Sequence, residues 1–208
     1  MKNELDFKTT TKKHFNKTAE NYSNSSNGKF VKCMYGEIVD RILKLNPHTI
    51  LDLGCGNGNI LKILEEKIDA DLYGLDLSEN MISQAKKNLK SEVNLTVGDS
   101  ENLPYDNNKF DIVICNASFH HYTNPERALT EIKRILKKDG VFILGDPTGP
   151  FDWYLKVLNY FLKHSNSGDY KIYSQKEITQ LLYSSGFEVQ NFKKINYRTF
   201  ALNAVKID

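Results

Sequence analysis

Asp52 and the glycines at 54, 56 and 58 fall within I-L-D-L-G-C-G-N-G-N-I, Ile50 to Ile60. Glycine has no Cβ, so backbone there can enter positive φ and a ligand can lie against it. An apolar run precedes the glycines and a helical pattern follows. That order reads as a buried strand, a tight turn and a helix whose free N–H groups point into the same space. Such a corner suits a nucleotide-type ligand, although the same glycines could serve only to turn the chain. Asp76 closes the next apolar run, D-L-Y-G-L-D-L. A carboxylate at the end of a second parallel strand, about 20 residues past the glycines, can accept from both hydroxyls of a ribose. Asp99, in G-D-S-E-N-L-P, follows a third short run, Val93 to Val97. It stands at the rim where open parallel sheets bind ligands. His120 and His121 follow a fourth run, Phe110 to Cys115, in N-A-S-F-H-H-Y. Imidazole titrates in the right range for a general base. Neighbours in an extended chain point to opposite sides, so one of the two is expected to face the cleft. A metal site is not expected, because no third ligand has an identifiable spacing.

The elements that must carry these residues follow from periodicity. Phe15, Ala19 and Tyr22 share one face of a short helix over Lys12 to Tyr22, expected to pack on the sheet edge or to cap the site with Tyr22 near it. The polar patch Asn21 to Gly28 is expected to be mobile. A second helix runs from about Phe30 to Leu45 and ends at Asn46-Pro47. After the glycines, a helix from Asn59 to Ile68 buries Ile60, Leu61, Ile63, Leu64 and Ile68. Ser78 is placed to cap the next helix, with Met81, Ile82, Ala85 and Leu89 inward. Met81 could pack on a purine or be plain core. Pro125 to Lys138 is an amphipathic helix, and Asp139-Gly140 turns into a fifth strand, Val141 to Pro147. The strand–helix alternation over 49–147 implies a doubly wound parallel sheet with helices on both faces. Later, Ser174 to Ser184 is a helix, and Phe187 to Tyr197 and Thr199 to Ile207 read as an antiparallel pair.

Composition narrows the classes. With 208 residues, one domain is expected. Charged residues are 26% and net charge is +2, which gives no case for a nucleic-acid surface. Lysines far outnumber arginines, which weakens a phosphate-reading role further. No apolar run is long enough for a transmembrane helix. Met1 to Thr11 is polar and lacks a signal-peptide apolar region. Cys33, Cys55 and Cys115 are scattered, which fits a reducing cytoplasm and neither a disulfide framework nor a zinc site.

Glycine spacing separates two ligand classes. A dinucleotide fingerprint needs G-x-G-x-x-G, and Asn59 occupies the place of its third glycine. The ordered set I-L-D-L-G-C-G-N-G, L-D-L-S-E-N-M, G-D-S-E-N-L-P, F-D-I-V-I-C-N-A-S-F-H-H-Y, A-L-T-E-I-K-R-I-L-K-K-D-G and E-I-T-Q-L-L-Y-S-S-G-F-E-V instead resembles the class I S-adenosylmethionine-dependent methyltransferases of the ubiquinone/menaquinone-biosynthesis type. The resemblance runs from about residue 14 to the end. It implies a Rossmann-like, mostly parallel seven-stranded sheet with an antiparallel last strand. It divides the chain into a helical cap (1–46), a cofactor-binding core (47–147), a variable aromatic lid (148–175) and a C-terminal helix with strands (176–208). By position it places Asp52, Gly54, Cys55 and Gly56 at the methionine part of the cofactor, with Tyr22 over it. Asp76 holds the ribose, Leu77 and Met81 sandwich the adenine, Asp99 and Ser100 meet its amino edge, and Asn116 offers its backbone carbonyl to the cofactor's amino group. The chain departs from the pattern at Asp139, where a Pro or Gly is common, on a turn far from the site.

The cofactor is an activated methyl donor that leaves as S-adenosylhomocysteine, so alignment, desolvation and proton removal fall to the protein. His120 and His121 are the candidates for the last of these. The acceptor is expected to be a small molecule, flat or apolar, met by the aromatic segment with Phe151, Trp153, Tyr154, Tyr160, Phe161, Tyr170 and Tyr173. That segment could equally be an amphipathic helix covering the sheet. Strand four ends in Asn116-Ala117-Ser118-Phe119, without the Asn/Asp-Pro-Pro-aromatic motif of base-specific enzymes. No cysteine is placed for a nucleophilic pyrimidine mechanism, and three scattered thiols fit an arsenic-type enzyme poorly. A nicotinamide-dependent oxidoreductase and a non-catalytic, partner-docking protein remain the alternatives.

Overall fold

A computed structural model describes residues 4–90, 92–162, 165 and 168–207. Met1 and Lys163, which bound the terminal and aromatic stretches, lie outside the described residues. Seven strands form one sheet in the order β3-β2-β1-β4-β5-β7-β6. They are β1 (Thr49–Leu53), β2 (Asp71–Asp76), β3 (Asn94–Val97), β4 (Phe110–Asn116), β5 (Leu136–Pro147), β6 (Phe187–Asn196) and β7 (Thr199–Lys206). The first five pair in parallel, and β7 lies antiparallel to both β5 and β6. The chain order reverses between β1 and β4, which is where open α/β sheets bind ligands.

Alternation along the strands splits the core in two. Leu51, Leu53, Val113 and Cys115 face one cluster with Leu129, Ile132 and Ile135 of α5 (Pro125–Ile135) and Ile178 and Leu182 of α7 (Gln175–Ser184). Ile50, Ile112, Ile114 and Ile143 face the other, with α2 (Ser26–Leu45), α3 (Asn59–Leu64) and Ile82 of α4 (Glu79–Asn88). Each such fully buried aliphatic side chain contributes about 1.5–3 kcal/mol. Helix starts follow their capping residues: Ser78 accepts from Met81 N, and Ser174 forms a capping box with Glu177. Asn46, left-handed at φ 44°, ends α2 before Pro47.

Four expectations are corrected. The N-terminal helix α1 spans Glu4–Thr18, not Lys12 to Tyr22, and Tyr22 lies in a 3-10 turn, Ala19–Asn24. The first part of α1 has no regular apolar stripe, and buried Phe7 against Tyr170 holds it together with the Lys8 ion pairs. The patch Asn21 to Gly28 is structured: Ser25 caps α2 by accepting from Gly28 N, so that helix starts before Phe30. Here glycine is required, because a Cβ on Gly28 would stand 2.0 Å from Tyr22 O. Helix α3 stops at Leu64, short of Ile68. Helix α5 stops at Ile135, and Leu136 already pairs with Phe110, so Asp139-Gly140 sits inside a bulge of β5 between that pair and Ile112–Val141. Among the described residues no helix is long and apolar enough to cross a membrane.

Candidate active site

The glycine loop leaves β1 through Gly54, Gly56 and Gly58, all at positive φ (77°, 55° and 81°). Gly54 N and Cys55 N both donate to Leu75 O, at 2.7 and 3.0 Å. A Cβ on Gly54 would stand 1.9 Å from Ser118 Oγ, whereas one on Gly56 would meet open space. Asp76 ties the loop to β2: its Oδ2 accepts from Gly56 N at 2.8 Å and its Oδ1 from Ser78 N at 2.9 Å. Two adjoining clefts open here, each enclosing ≈ 540 Å³ of empty space. Gly54, Asp76, Leu77, Asp99 and Ser100 line the first. Tyr22, Asp52, Gly54, Cys55, Gly56, Asp76, Met81 and Asn116 line the second. The eleven residues expected at a cofactor are thus brought together, with Leu77 and Met81 in different clefts rather than on two sides of one slot. Met81 is 1% exposed.

Asp52 is a buried carboxyl beside a second carboxyl. Burial, and then the charge of Asp76, push it up to about 7. Burial also pushes Asp76 up to about 6, against the N–H groups of Ser78 and Gly56. The folded protein therefore binds more protons than the unfolded chain from about pH 4 to about pH 7. The contribution of this pair to stability falls as pH rises through that window, by up to about 1.4 kcal/mol per pH unit for each such proton. Replacing Asp52 by Asn is expected to flatten this slope and to make the ligand-free protein more stable than its parent at pH 8. Urea midpoints at pH 5 and pH 8 check it, and an unchanged slope would refute the assignment.

The residues after β4 depart from extended chain. Ala117 is left-handed at φ 52°, its N–H held by Gly145 O at 2.7 Å. A non-glycine residue there costs about 1 kcal/mol or more, a strain that often marks functional sites. Phe119–His121 then form a 3-10 turn. This overturns the expectation that the two histidines diverge: their ring centroids are 3.9 Å apart. His120 Nδ1 is 2.8 Å from Asp146 Oδ1, and His121 Nδ1 is 2.9 Å from Gly168 O. Asp169 Oδ1 lies 3.4 Å from His120 Nε2 and 3.3 Å from His121 Nδ1. Burial would lower His120, but Asp146 and Asp169 outweigh it and raise it. Burial and the neighbouring His120 charge lower His121, which is neutral.

A larger cavity of ≈ 1350 Å³, its mouth included, adjoins the second cleft. Phe15, Tyr22, Val31, Ala117 and His121 line both. Tyr154 and Leu158 of α6 (Asp152–Leu162) form part of its far wall. Of the aromatic segment only Tyr154 lines it, while Phe151, Trp153, Tyr160 and Phe161 are exposed. Tyr170 and Tyr173 instead line an outer groove beside α7. The expected aromatic pocket is therefore mostly an outward face.

Sequence reasoning allowed for a cap over residues 12–22 but missed the first turns of α1. Lys8, Thr11 and Phe15 line the first cleft. Lys8 Nζ pairs with Asp99 Oδ2 at 2.8 Å and Glu101 Oε2 at 2.6 Å. It also missed Asp146, Asp169 and Tyr122. An Asp closing an apolar strand was a usable signal for Asp146; nothing marked Asp169.

A family model for a methyltransferase domain matches residues 51–144. Demethylmenaquinone methyltransferase of Thermotoga maritima is 30% identical over 173 residues, covering 73% of this chain and 75% of that protein. Among solved structures, the partner of the Trm112 methyltransferase activator in a Haloferax volcanii complex superposes with a TM-score of 0.77 at 21% identity, covering 95% of this chain and 98% of that one. The 1,6-didemethyltoxoflavin-N1-methyltransferase of Burkholderia thailandensis, with bound substrate and S-adenosylhomocysteine, gives 0.78 at 16% identity, covering 100% and 92%. The chain belongs to the class I S-adenosylmethionine-dependent methyltransferases of the ubiquinone/menaquinone-biosynthesis type.

Proposed function

We propose that the chain transfers the methyl group of S-adenosylmethionine to an oxygen, nitrogen or carbon nucleophile of a small acceptor seated in the cavity under α6. The observation that carries this reading is the junction: Phe15 and His121 line both cofactor clefts and the acceptor cavity. The site's own residues suit the cofactor. Gly54 leaves a space that a Cβ would fill. Asp76 presents a carboxylate to both clefts. Asn116 Oδ1 is buried without a hydrogen-bond partner in the described structure, an orphan that costs about 1–3 kcal/mol until a donor reaches it. Asp76 would hold the ribose, Asp99 and Ser100 the amino edge of the base, and Asp52 and Asn116 the cationic methionine end.

When bound, the cofactor supplies an activated methyl group on a sulfonium. The chain's residues do the rest. Phe15, Tyr22 and Val31 exclude water from the junction. The strained turn at Ala117 aims the 3-10 segment there. The cluster of His120, His121 and Asp169 receives the acceptor's proton, and His121 is the member that reaches the junction. Replacing His121 by Ala is expected to lower turnover roughly 10²- to 10⁴-fold. Binding of S-adenosylmethionine should change by no more than a few-fold. Calorimetry with S-adenosylmethionine, followed by tritiated-methyl transfer to a panel of small acceptors, checks both. Intact binding with no transfer to any of them would favour the partner-docking alternative, for which the exposed aromatics of α6 offer a surface.

A further inference from the structure

We propose that His120, His121 and Asp169 hold a divalent transition-metal ion in the wall of the acceptor cavity. The inference deepens the function proposed above, since it rests on the acceptor occupying that cavity. One ligand atom from each residue lies within 4.8 Å of the others. All three residues line the cavity.

The distances from both histidines to Asp169 also suit three ligands of one shared ion. A charge-assisted N–H···O bond spans about 2.7–2.9 Å. The His120–Asp146 contact, at 2.8 Å, is such a bond. The contacts of both histidines with Asp169 Oδ1, at 3.4 and 3.3 Å, are longer by half an ångström or so. Tetrahedral ligands on metal bonds of about 2.1 Å stand roughly 3.4 Å apart. One carboxylate oxygen stands at that separation from two imidazole nitrogens, which gives two edges of such a tetrahedron, and all three ligand atoms lie within 4.8 Å of one another.

The surroundings prepare the ligands. Asp146, 1% exposed, accepts from His120 Nδ1–H and fixes the ring so that Nε2 faces the cluster. A carboxylate behind a ligating histidine is the usual support of a bound metal. His121 Nδ1–H donates to Gly168 O, and loading would shift the ring to the tautomer that carries its proton on Nε2. Two imidazoles and one carboxylate suit Zn²⁺, Co²⁺ or Fe²⁺ better than Mg²⁺ or Ca²⁺, which prefer all-oxygen sets. Three protein ligands leave a fourth position, and the cavity lies on that side. An acceptor O–H or N–H bound there gives its proton to solvent, and the heteroatom remains on the ion as the nucleophile. The part that the cluster plays in removing that proton is then to acidify the bound acceptor.

Equilibrium dialysis with Zn²⁺ and visible absorption with Co²⁺, on the full chain stripped by chelator, test this. The exposed Cys33 would compete, so a Cys33→Ser background is used. One equivalent of Zn²⁺ per chain is expected, with a Co²⁺ spectrum of low coordination number. Asp169→Asn and His121→Ala should each weaken Zn²⁺ at least tenfold. Calorimetry with S-adenosylmethionine verifies that both variants remain folded at the cofactor site. No stoichiometric binding by the parent, or binding unaltered in both variants, would overturn the inference. Methyl transfer that persists fully in metal-free protein would also overturn it, while leaving the methyltransferase reading intact. Loss of S-adenosylmethionine binding by the parent would refute that reading instead.

Discussion

Replacing Asp76 by Ala should weaken S-adenosylmethionine binding by at least about 100-fold. A carboxylate accepting from two ribose hydroxyls makes two charge-assisted hydrogen bonds, each worth about 1.5–3 kcal/mol, and 1.4 kcal/mol is a factor of ten. The substitution does more than remove the ribose partner. Asp76 also accepts from Gly56 N and Ser78 N, so it sets the loop's position before any ligand arrives. Asp76→Asn separates the two effects. Its amide oxygen can still accept from one N–H, so loop order should recover more than affinity does. Isothermal titration of the three proteins measures affinity, and amide hydrogen exchange of 54–58 measures loop order. Unchanged affinity in Asp76→Ala would mean that the cofactor lies elsewhere.

Gly54→Ala should be nearly as severe, for a different reason. The residue is held at φ 77°, where an L side chain is strained by about 1–2 kcal/mol. The added methyl would stand 1.9 Å from Ser118 Oγ and 2.5 Å from its Cβ. Ser118 cannot retreat freely, because its hydroxyl is hydrogen-bonded to Tyr122 at 3.2 Å and Tyr122 packs on the buried Phe119. The loop must therefore lift from β1, and both cofactor clefts deform with it. The expected result is a loss of roughly 2–4 kcal/mol of stability, read by urea unfolding, with no measurable cofactor binding. Gly56→Ala is the comparison: its Cβ meets open space, and only the φ strain applies. Equal losses in the two variants would show that crowding at Ser118 is unimportant.

The sheet was legible because its strands carry their own signal. Phe110 to Cys115 and Ile50 to Leu53 are apolar runs of the length a strand buried on both faces requires. The glycine loop was legible because three closely spaced glycines follow an apolar run, and the five motifs that follow in order narrowed its ligand. What stayed hidden depended on contacts remote in sequence. The first half of α1 has no apolar period, and Lys8 finds Asp99 and Glu101 across the fold. Asp169 lies in S-N-S-G-D, a run without pattern, and gains meaning only beside the histidines. The histidine pair was misread because extended geometry was assumed where Ala117 turns the chain into a 3-10 segment. The outward aromatics of α6 were misplaced because composition says that a segment is aromatic and not which way it faces.

The attachment of α1 sets the order of events in a catalytic cycle. Its residues Lys8, Thr11 and Phe15 form a wall of the first cleft, and the Lys8 ion pairs join the aromatic contacts of Phe7 and Phe15 in holding it to the body. Thr11 donates to Gly168 O, the same carbonyl that faces His121. Loosening α1 to exchange spent cofactor therefore also disturbs the wall of the acceptor cavity. On the function proposed above, this coupling predicts that the cofactor binds first and leaves last. Lys8 is partly exposed, so salt screens its pairs. The residence time of the demethylated product then becomes a property of the surrounding electrolyte as much as of the cleft itself.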